Sequence, residues 1–144
     1  MSINYPCCGY KNSVKNLYIA YIILTYYFNY MWGNLLFGQL ITNKSSAVTS
    51  IITLVELLSF PSTGVEISFL NKLLLGIPNL KICDLDQNIG REASVIRRTY
   101  HYGMPDSIQL ATCIIEKADL FITDDKKLLT FKKLPVVTIW ILLW

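Results

Sequence analysis

Short apolar segments alternate with longer helical patterns along this chain, and this alternation restricts its fold more than any other feature. A helix between two strands carries the chain back to the end of the sheet where the first strand began, so that the second strand runs parallel to the first. A parallel sheet needs helices on both faces, and its strands are then apolar throughout. The sequence therefore predicts an α/β fold, with a parallel sheet covered on both faces.

The predicted helices have recognisable end signals. Ser50 is a typical N-cap, Gly76 a typical stop, and Pro105 begins a helix that carries Asp106 in its first turn. Strands are predicted at residues 17–20, 47–49, 80–83, 119–123 and 136–139. Helices are predicted at residues 22–32, 51–60, 65–75 and 126–132, around residues 89–100, and from residue 105 onwards.

Two of these helices have predicted inner faces that bear on a candidate site. In the helix after Ser50, the one-face spacing selects Ile51, Leu54, Val55 and Leu58. Glu56 lies off this stripe. In the helix after Pro105, the inner stripe is predicted to comprise Ile108, Ala111, Ile115 and Ala118.

Composition limits the size and chemistry of the fold. With 144 residues, 53% of them hydrophobic, the chain can bury one ordinary core, so we expect one domain. The net charge of +3 allows an anionic partner without demanding one. The cysteines, Cys7, Cys8, Cys83 and Cys113, form no C-x-x-C pair, and His101 is the only histidine, which argues against zinc. We expect Cys83 and Cys113 to be small buried hydrophobic residues.

The stretch between Lys15 and Lys44 carries no charge and raises the question of a membrane span. Only residues 17–28 are densely apolar, which is short for a span and typical of a buried strand leading into a helix. No small-x-small cleavage site follows at the distance of a secretory signal. We therefore expect a cytoplasmic protein without a membrane partner. A membrane anchor at residues 17–41 is the alternative.

Four of the ten acidic residues lie beside the most apolar segments: Glu56, Asp106, Asp124 and Asp125. Asp124 and Asp125 follow a predicted strand, and sites in open parallel sheets form outside the carboxyl ends of strands. Carboxylates gathered there repel one another unless a cation or protons intervene, and such oxygen ligands favour Mg²⁺ or Mn²⁺. Each acid also has an ordinary explanation: Asp106, Asp124 or Asp125 could cap a helix, and Glu56 could be solvated.

Three segments resemble the later acidic motifs of the PIN-domain family. They are SIITLVEL at residues 50–57, MPDSIQLAT at residues 104–112 and ADLFITDD at residues 118–125. The resemblance implies a three-layer α/β/α sandwich around a parallel sheet and an Mg²⁺- or Mn²⁺-dependent endoribonuclease. It also implies the role of a VapC-type toxin in a toxin–antitoxin pair, with RNA as substrate, a cognate antitoxin and a homodimer as assembly.

The resemblance also implies roles for individual residues. Asp106 would be a direct metal ligand, and Asp124 or Asp125 would bind a metal directly or through water. Glu56 would position a ligand water or act as a base, and a metal-activated water would hydrolyse the phosphodiester.

The first acidic motif departs from the family pattern. In the family an early strand ends in an Asp-Thr-Asn-like motif, and here that slot falls on Tyr21, Ile22 and Ile23, within one residue. No carboxylate precedes Glu56. The sequence divides into an extension at residues 1–16, a PIN-like domain at 17–139 and an apolar tail at 140–144. We expect reduced activity, and an impaired module that keeps RNA or antitoxin binding is the alternative.

Basic side chains near the acids are candidates for contacts with RNA phosphates, although a solvated surface is their ordinary role. They are Arg91, Arg97, Arg98, Lys126, Lys127, Lys132 and Lys133. Aromatic residues between Tyr18 and Trp32 could stack bases, but their helical spacing is more typical of a core or a dimer face.

Overall fold

The computed structural model describes residues 16–19, 45–59 and 64–138. Its strands are β1 (Asn16–Ile19), β2 (Ser46–Ser50), β3 (Leu80–Cys83), β4 (Leu120–Thr123) and β5 (Val136–Thr138). Its helices are α1 (Ile51–Leu58), α2 (Gly64–Leu75), α3 (Gln87–Tyr100) and α4 (Met104–Ile115), and a 3₁₀ helix covers Lys126–Thr130. Within these ranges the strands form one sheet in the order β3-β2-β1-β4-β5, and all the pairs are parallel.

Strand β1 is the centre of the sheet, between β2 and β4. Its register pairs Leu17 with Ala47 on one side and with Leu120 on the other. From β1 the chain proceeds outward through β2 and β3, then crosses back to add β4 and β5 on the opposite side. The boundary between β1 and β4 is therefore the topological switch point, where open α/β sheets bind their ligands beyond the carboxyl ends of the strands.

Two hydrophobic clusters occupy the two faces of the sheet. One contains Val48 and Phe121 with the inner sides of α3 and α4, such as Ile96 and Leu110. The other contains Ala47, Leu120 and Ile122 with Leu57 of α1 and with Leu70 and Leu74 of α2. Successive strand residues enter opposite clusters, as the two-residue repeat of a strand requires. Helices thus cover both faces, and the predicted α/β/α sandwich is confirmed.

Side-chain caps fix where the helices begin. The Ser50 hydroxyl accepts a hydrogen bond from the Ile52 amide at 3.2 Å, which confirms Ser50 as the N-cap of α1. Asp86 caps α3 through the Ile89 amide at 2.8 Å. His101 ends α3 in the left-handed conformation (φ 58°), and Gly103 then starts α4 without a side-chain cap.

The orientation of α1 differs from the prediction. Its buried residues are Thr53 and Leu57, whereas Val55, predicted on the inner stripe, is 55% exposed. Thr53 turns inward because its hydroxyl accepts a hydrogen bond from buried Thr49 at 2.9 Å, so a polar residue occupies part of the inner face. Apolar spacing alone misses this rotation, which leaves Glu56 half-buried instead of fully solvated.

Helix α4 is buried more completely than the single stripe predicted. Ile108 and Ala111 are buried as expected, but Ile115 is 39% exposed and Ala118 lies beyond the end of the helix. The whole run from Ser107 to Cys113 is buried. Polar residues in this run include Gln109, so burial here does not follow the apolar pattern.

Some element boundaries also differ. The 3₁₀ helix ends at Thr130 instead of residue 132, because Phe131 adopts an extended conformation and is buried in the core. The predicted burial of Cys83 and Cys113 is confirmed. The predicted helix at 22–32, the segment at 1–15 and the tail at 140–144 lie outside the described residues. Within the described residues, no helix combines the length and the apolar character that crossing a bilayer requires.

Candidate functional site

Glu56 and Asp106 come together where α1 approaches α4. Gln109, one turn beyond Asp106 on α4, donates a hydrogen bond from Nε2 to Glu56 Oε2 at 3.0 Å. Because Gln109 is only 3% exposed, this amide is a fixed part of the helix interface. Residues three apart lie on the same side of a helix, so the contact of Gln109 places Asp106 beside Glu56.

Burial raises the pKa of Glu56 above its ordinary value of 4.5. The negative charge of Asp106 raises it further, while the hydrogen bond from Gln109 opposes both effects. The raised pKa of Glu56 therefore has two causes, its partial burial and the negative charge of Asp106.

Lys127 connects Asp106 to the acids that follow β4. Its Nζ lies 2.9 Å from Asp106 Oδ2 and 2.9 Å from Asp125 Oδ2. These hydrogen bonds, first to Asp106 and then to Asp125, raise the pKa of the lysine. Gly103 borders the same oxygen of Asp106, since a Cβ built on Gly103 would lie 3.4 Å from Oδ2.

Asp125 and Asp124 have different environments although they are adjacent. Asp125 caps the 3₁₀ helix by accepting a hydrogen bond from the Lys127 amide at 3.0 Å, and its own amide donates to Thr123 Oγ1 at 3.1 Å. Oδ1 of Asp124 is buried and has no hydrogen-bond partner among the residues that the structure describes. The helix-cap alternative therefore applies to Asp125, whereas Asp124 holds an oxygen that needs a ligand or a solvent molecule.

The four predicted acids therefore have different placements. Glu56, Asp106 and Asp125 are linked through Gln109, through the field of Asp106 and through Lys127. Across the described ranges, no group of three or more His, Cys, Asp or Glu side chains is arranged so that it could hold a metal ion as it stands. The cation between Asp106 and Asp125 is instead the ammonium of Lys127.

Sequence reasoning missed the role of Gln109 and gave Lys127 a different one. The spacing of Asp106 and Gln109 signalled a shared helix face, but nothing in the sequence distinguishes a buried glutamine from a solvated one. The sequence offered a solvated surface or a contact with RNA phosphate for Lys127, and the structure pairs this lysine with two acids.

The other basic candidates lie on the surface. Lys133 pairs with Glu92 at 2.7 Å, and Arg91, Arg97, Arg98, Lys126 and Lys132 are exposed. Tyr21, the predicted substitute for the first acid, lies outside the described residues, two positions beyond the end of β1 at Ile19.

These features define an open-sheet α/β protein with an acidic site beyond β4, at the topological switch point. The family model of the PIN domain matches residues 35–135, and the chain belongs to the PIN-domain family. The match begins after β1 and after Tyr21. No curated protein sequence is significantly similar to the chain.

Solved structures with the same fold come from toxin–antitoxin complexes. A DNA-bound VapBC from Salmonella typhimurium is 14% identical, with a TM-score of 0.68 over 88% of this chain and 98% of the other. VapBC-1 from nontypeable Haemophilus influenzae is 17% identical, with a TM-score of 0.66 over 87% and 98%. VapBC2 from Rickettsia felis, bound to a promoter DNA fragment, is 18% identical, with a TM-score of 0.64 over 85% and 98%.

PIN domains generally use divalent metal ions, and the acids at this site have the donor chemistry for such an ion, although the described side chains are not arranged as a metal site. The donors at the site are carboxylate oxygens, which hard divalent cations prefer. The buried Oδ1 of Asp124 lacks a partner within the described part of the chain, and Asp106 and Asp125 already hold the positive charge of Lys127 between them. The site therefore attracts cations and has an oxygen to offer.

Proposed function

We propose that this chain is a metal-dependent endoribonuclease, the VapC-type toxin of a type II toxin–antitoxin pair. The observation that supports it best is that Asp106 lies close to Glu56 and shares Lys127 with Asp125, which follows β4, in a member of the PIN-domain family. RNA is the proposed substrate, and the cytoplasm the proposed compartment.

In the proposed mechanism Asp106 and Asp125 would hold Mg²⁺ or Mn²⁺, and Asp124 would be a further ligand through its buried oxygen. The bound ion would activate a water molecule and neutralise charge on the scissile phosphate. Glu56 would position a water molecule or accept a proton from it, and its raised pKa moves its basicity toward the value that favours proton transfer near neutral pH. The hydrogen bond from Gln109 to Glu56 Oε2 fixes the position of this carboxyl group.

The proposed activity is lower than that of a complete four-acid site. No carboxylate precedes Glu56 in the sequence, and the first-acid slot falls on Tyr21. A missing anionic ligand reduces the attraction for a divalent ion. Restoring an acid at this slot should therefore raise the activity, whereas removing one of the remaining acids should lower it.

The direct test is cleavage of single-stranded RNA by the purified chain with Mg²⁺ or Mn²⁺. We expect slow cleavage that EDTA abolishes and that Asp106→Asn reduces about 100-fold or more, because metal-ion stabilisation is worth several kcal/mol. Asp84→Asn, an exposed acid beyond the edge strand β3, is the matched control and should leave the rate unchanged. Cleavage that survives both EDTA and Asp106→Asn would contradict the proposal.

Acid restoration examines the first-motif slot. Tyr21→Asp, with Ala20→Asp and Ile22→Asp to cover the neighbouring registers, should raise the Mn²⁺-dependent rate for one of the three. Fast wild-type cleavage that is lost in Asp106→Asn, with no gain from any restored acid, would refute the expected impairment while leaving the nuclease assignment intact.

The second candidate function is an impaired PIN module that binds RNA or an antitoxin without cutting. The sequence at Tyr21 favours it. Calorimetric titration with Mn²⁺ separates the two functions, since an active enzyme binds the ion and an impaired module does not. A chain that binds RNA but neither cleaves it nor binds Mn²⁺ would establish this alternative.

An antitoxin partner and a homodimer complete the proposal. The solved relatives are toxin–antitoxin complexes, which supports looking for a small DNA-binding protein encoded directly upstream. Expression of this chain alone should slow growth, and co-expression of that neighbour should restore it. The mass in solution, measured by light scattering, should equal two chains; a monomeric mass would refute the dimer alone.

A further inference from the structure

We propose that the Lys127 ammonium is an internal counter-cation of the acidic site, which a divalent ion must displace in order to bind. The inference rests on the proposed function, because it concerns the same carboxylates. It assigns Lys127 a role at the acids that differs from both roles considered from the sequence, a solvated surface and a contact with RNA phosphate.

The contacts of Lys127 place a positive charge between two candidate ligands. Its Nζ is 2.9 Å from one oxygen of Asp106 and equally far from one oxygen of Asp125. These acids come from different elements, the first turn of α4 and the cap of the 3₁₀ helix, so the lysine holds two separate segments together. Both oxygens are engaged by the ammonium, and an ion that takes them as ligands must take its place.

The exposure of the three side chains makes displacement feasible. Lys127 is 55% exposed, against 23% for Asp106 and 40% for Asp125. A lysine has a flexible four-carbon stem and a strongly hydrated head, so it can leave the acids and enter solvent at low cost. The acids, anchored by α4 and by the Thr123 contact, stay behind.

The charge of Lys127 opposes the binding of a second cation at these acids. Asp106 and Asp125 together carry two negative charges, and the charge of Asp106 already acts on Glu56. One ammonium neutralises half of the charge on the pair, and it repels any second cation nearby. Because no carboxylate precedes Glu56, fewer negative charges attract the ion, and the repulsion from Lys127 lowers its affinity by a larger share.

Three possible roles for Lys127 predict different results. If Lys127 competes with the ion, removing its charge tightens metal binding. If Lys127 serves only to bind RNA phosphate, removing it weakens RNA binding and leaves metal affinity unchanged. If the ion pairs of Lys127 have no functional role, removing the lysine changes neither the metal affinity nor the RNA affinity.

The test is calorimetric titration of the full chain with MnCl₂, without RNA. Lys127→Met should bind Mn²⁺ about three- to tenfold more tightly than the wild type, since partly exposed ion pairs of this kind are individually weak. Lys126→Met makes the same change in net charge at an exposed neighbour that has no ion pair within the described residues, so it should bind like the wild type. Lys127→Arg keeps the charge and should also stay near the wild-type affinity.

Thermal unfolding gives a second readout. At the same saturating MnCl₂ concentration, the melting temperature should rise more in Lys127→Met than in the wild type, because the stabilisation by a ligand grows with the logarithm of its affinity. Equal affinities and equal shifts in the two proteins would overturn the role of Lys127 alone. No Mn²⁺ binding in either protein would overturn the metal-dependent function, and this inference with it.

Discussion

The hydrogen bond between Gln109 and Glu56 yields the sharpest prediction about the site. Gln109→Leu removes the donor at 3.0 Å while keeping a side chain of similar volume inside the interface of α1 and α4. We expect the variant to fold but to be less stable at neutral pH. The loss should depend on pH, because the bond stabilises the ionised form of Glu56.

The size of the loss follows from the burial of the two partners. A hydrogen bond to a charged acceptor contributes about 1.5–3 kcal/mol when both groups are removed from water. Glu56 is only half-buried, so water replaces part of the interaction, and we expect about 1 kcal/mol at pH 7. In a chain of 144 residues this corresponds to a fall of about 2–4 °C in the melting temperature.

The pH dependence has a definite sign. The Gln109 bond lowers the pKa of Glu56, so its contribution is complete while Glu56 is ionised and fades as the pH falls through that pKa. Because burial and Asp106 raise the pKa above 4.5, the fading begins above that value.

Urea unfolding at pH 7 and at about pH 4 measures both limits. Thr112→Val is the matched control: Thr112 is buried on the same helix, but its hydroxyl donates to the Ile108 carbonyl at 2.8 Å and not to an acid. The control should lose equal stability at both pH values. An equal loss in Gln109→Leu at both pH values would refute the reasoning.

Two further predictions concern neighbouring contacts. Glu56→Gln should raise the stability at pH 7 but not below pH 4.5. A raised pKa means that the folded chain holds the Glu56 proton more tightly than the unfolded chain does, so the wild type loses stability as the pH rises. A loss of stability in the variant at pH 7, measured by thermal unfolding, would contradict this. Tyr102→Phe removes a 2.6 Å hydrogen bond between the Tyr102 and Thr130 hydroxyls and should cost about 1 kcal/mol. A double-mutant cycle with Thr130→Val should show coupling, and purely additive losses would count against the bond.

The layers and the sheet follow from the sequence because they depend on average properties of long segments. Apolar runs at β4 and capping signals such as Ser50 are local, so they can be read without knowing the rest of the chain. The rotation of α1 could not be read in this way. It depends on the pairing of Thr49 with Thr53, two polar residues whose burial is decided by the tertiary contacts around them.

The site was predictable as a set of residue types and less so as an arrangement. The motifs identified Glu56, Asp106, Asp124 and Asp125 as the acids to examine. They could not assign the burial of Gln109 or the double ion pair of Lys127, because both depend on distances between segments that are far apart in the chain. Asp124 and Asp125 differ by one position, and only the backbone path after β4 separates their environments.

The central strand β1 contributes to the sheet through its backbone and not through the side chain that follows it. A central strand joins its neighbours through main-chain groups, and the β1 ladders with β2 and β4 use nothing that an acid must supply. A substitution just beyond β1 therefore leaves the backbone pairing of the sheet undisturbed. Strand pairing therefore places no constraint on which side chain follows β1, so the fold and the chemistry at that end of the strand can change separately.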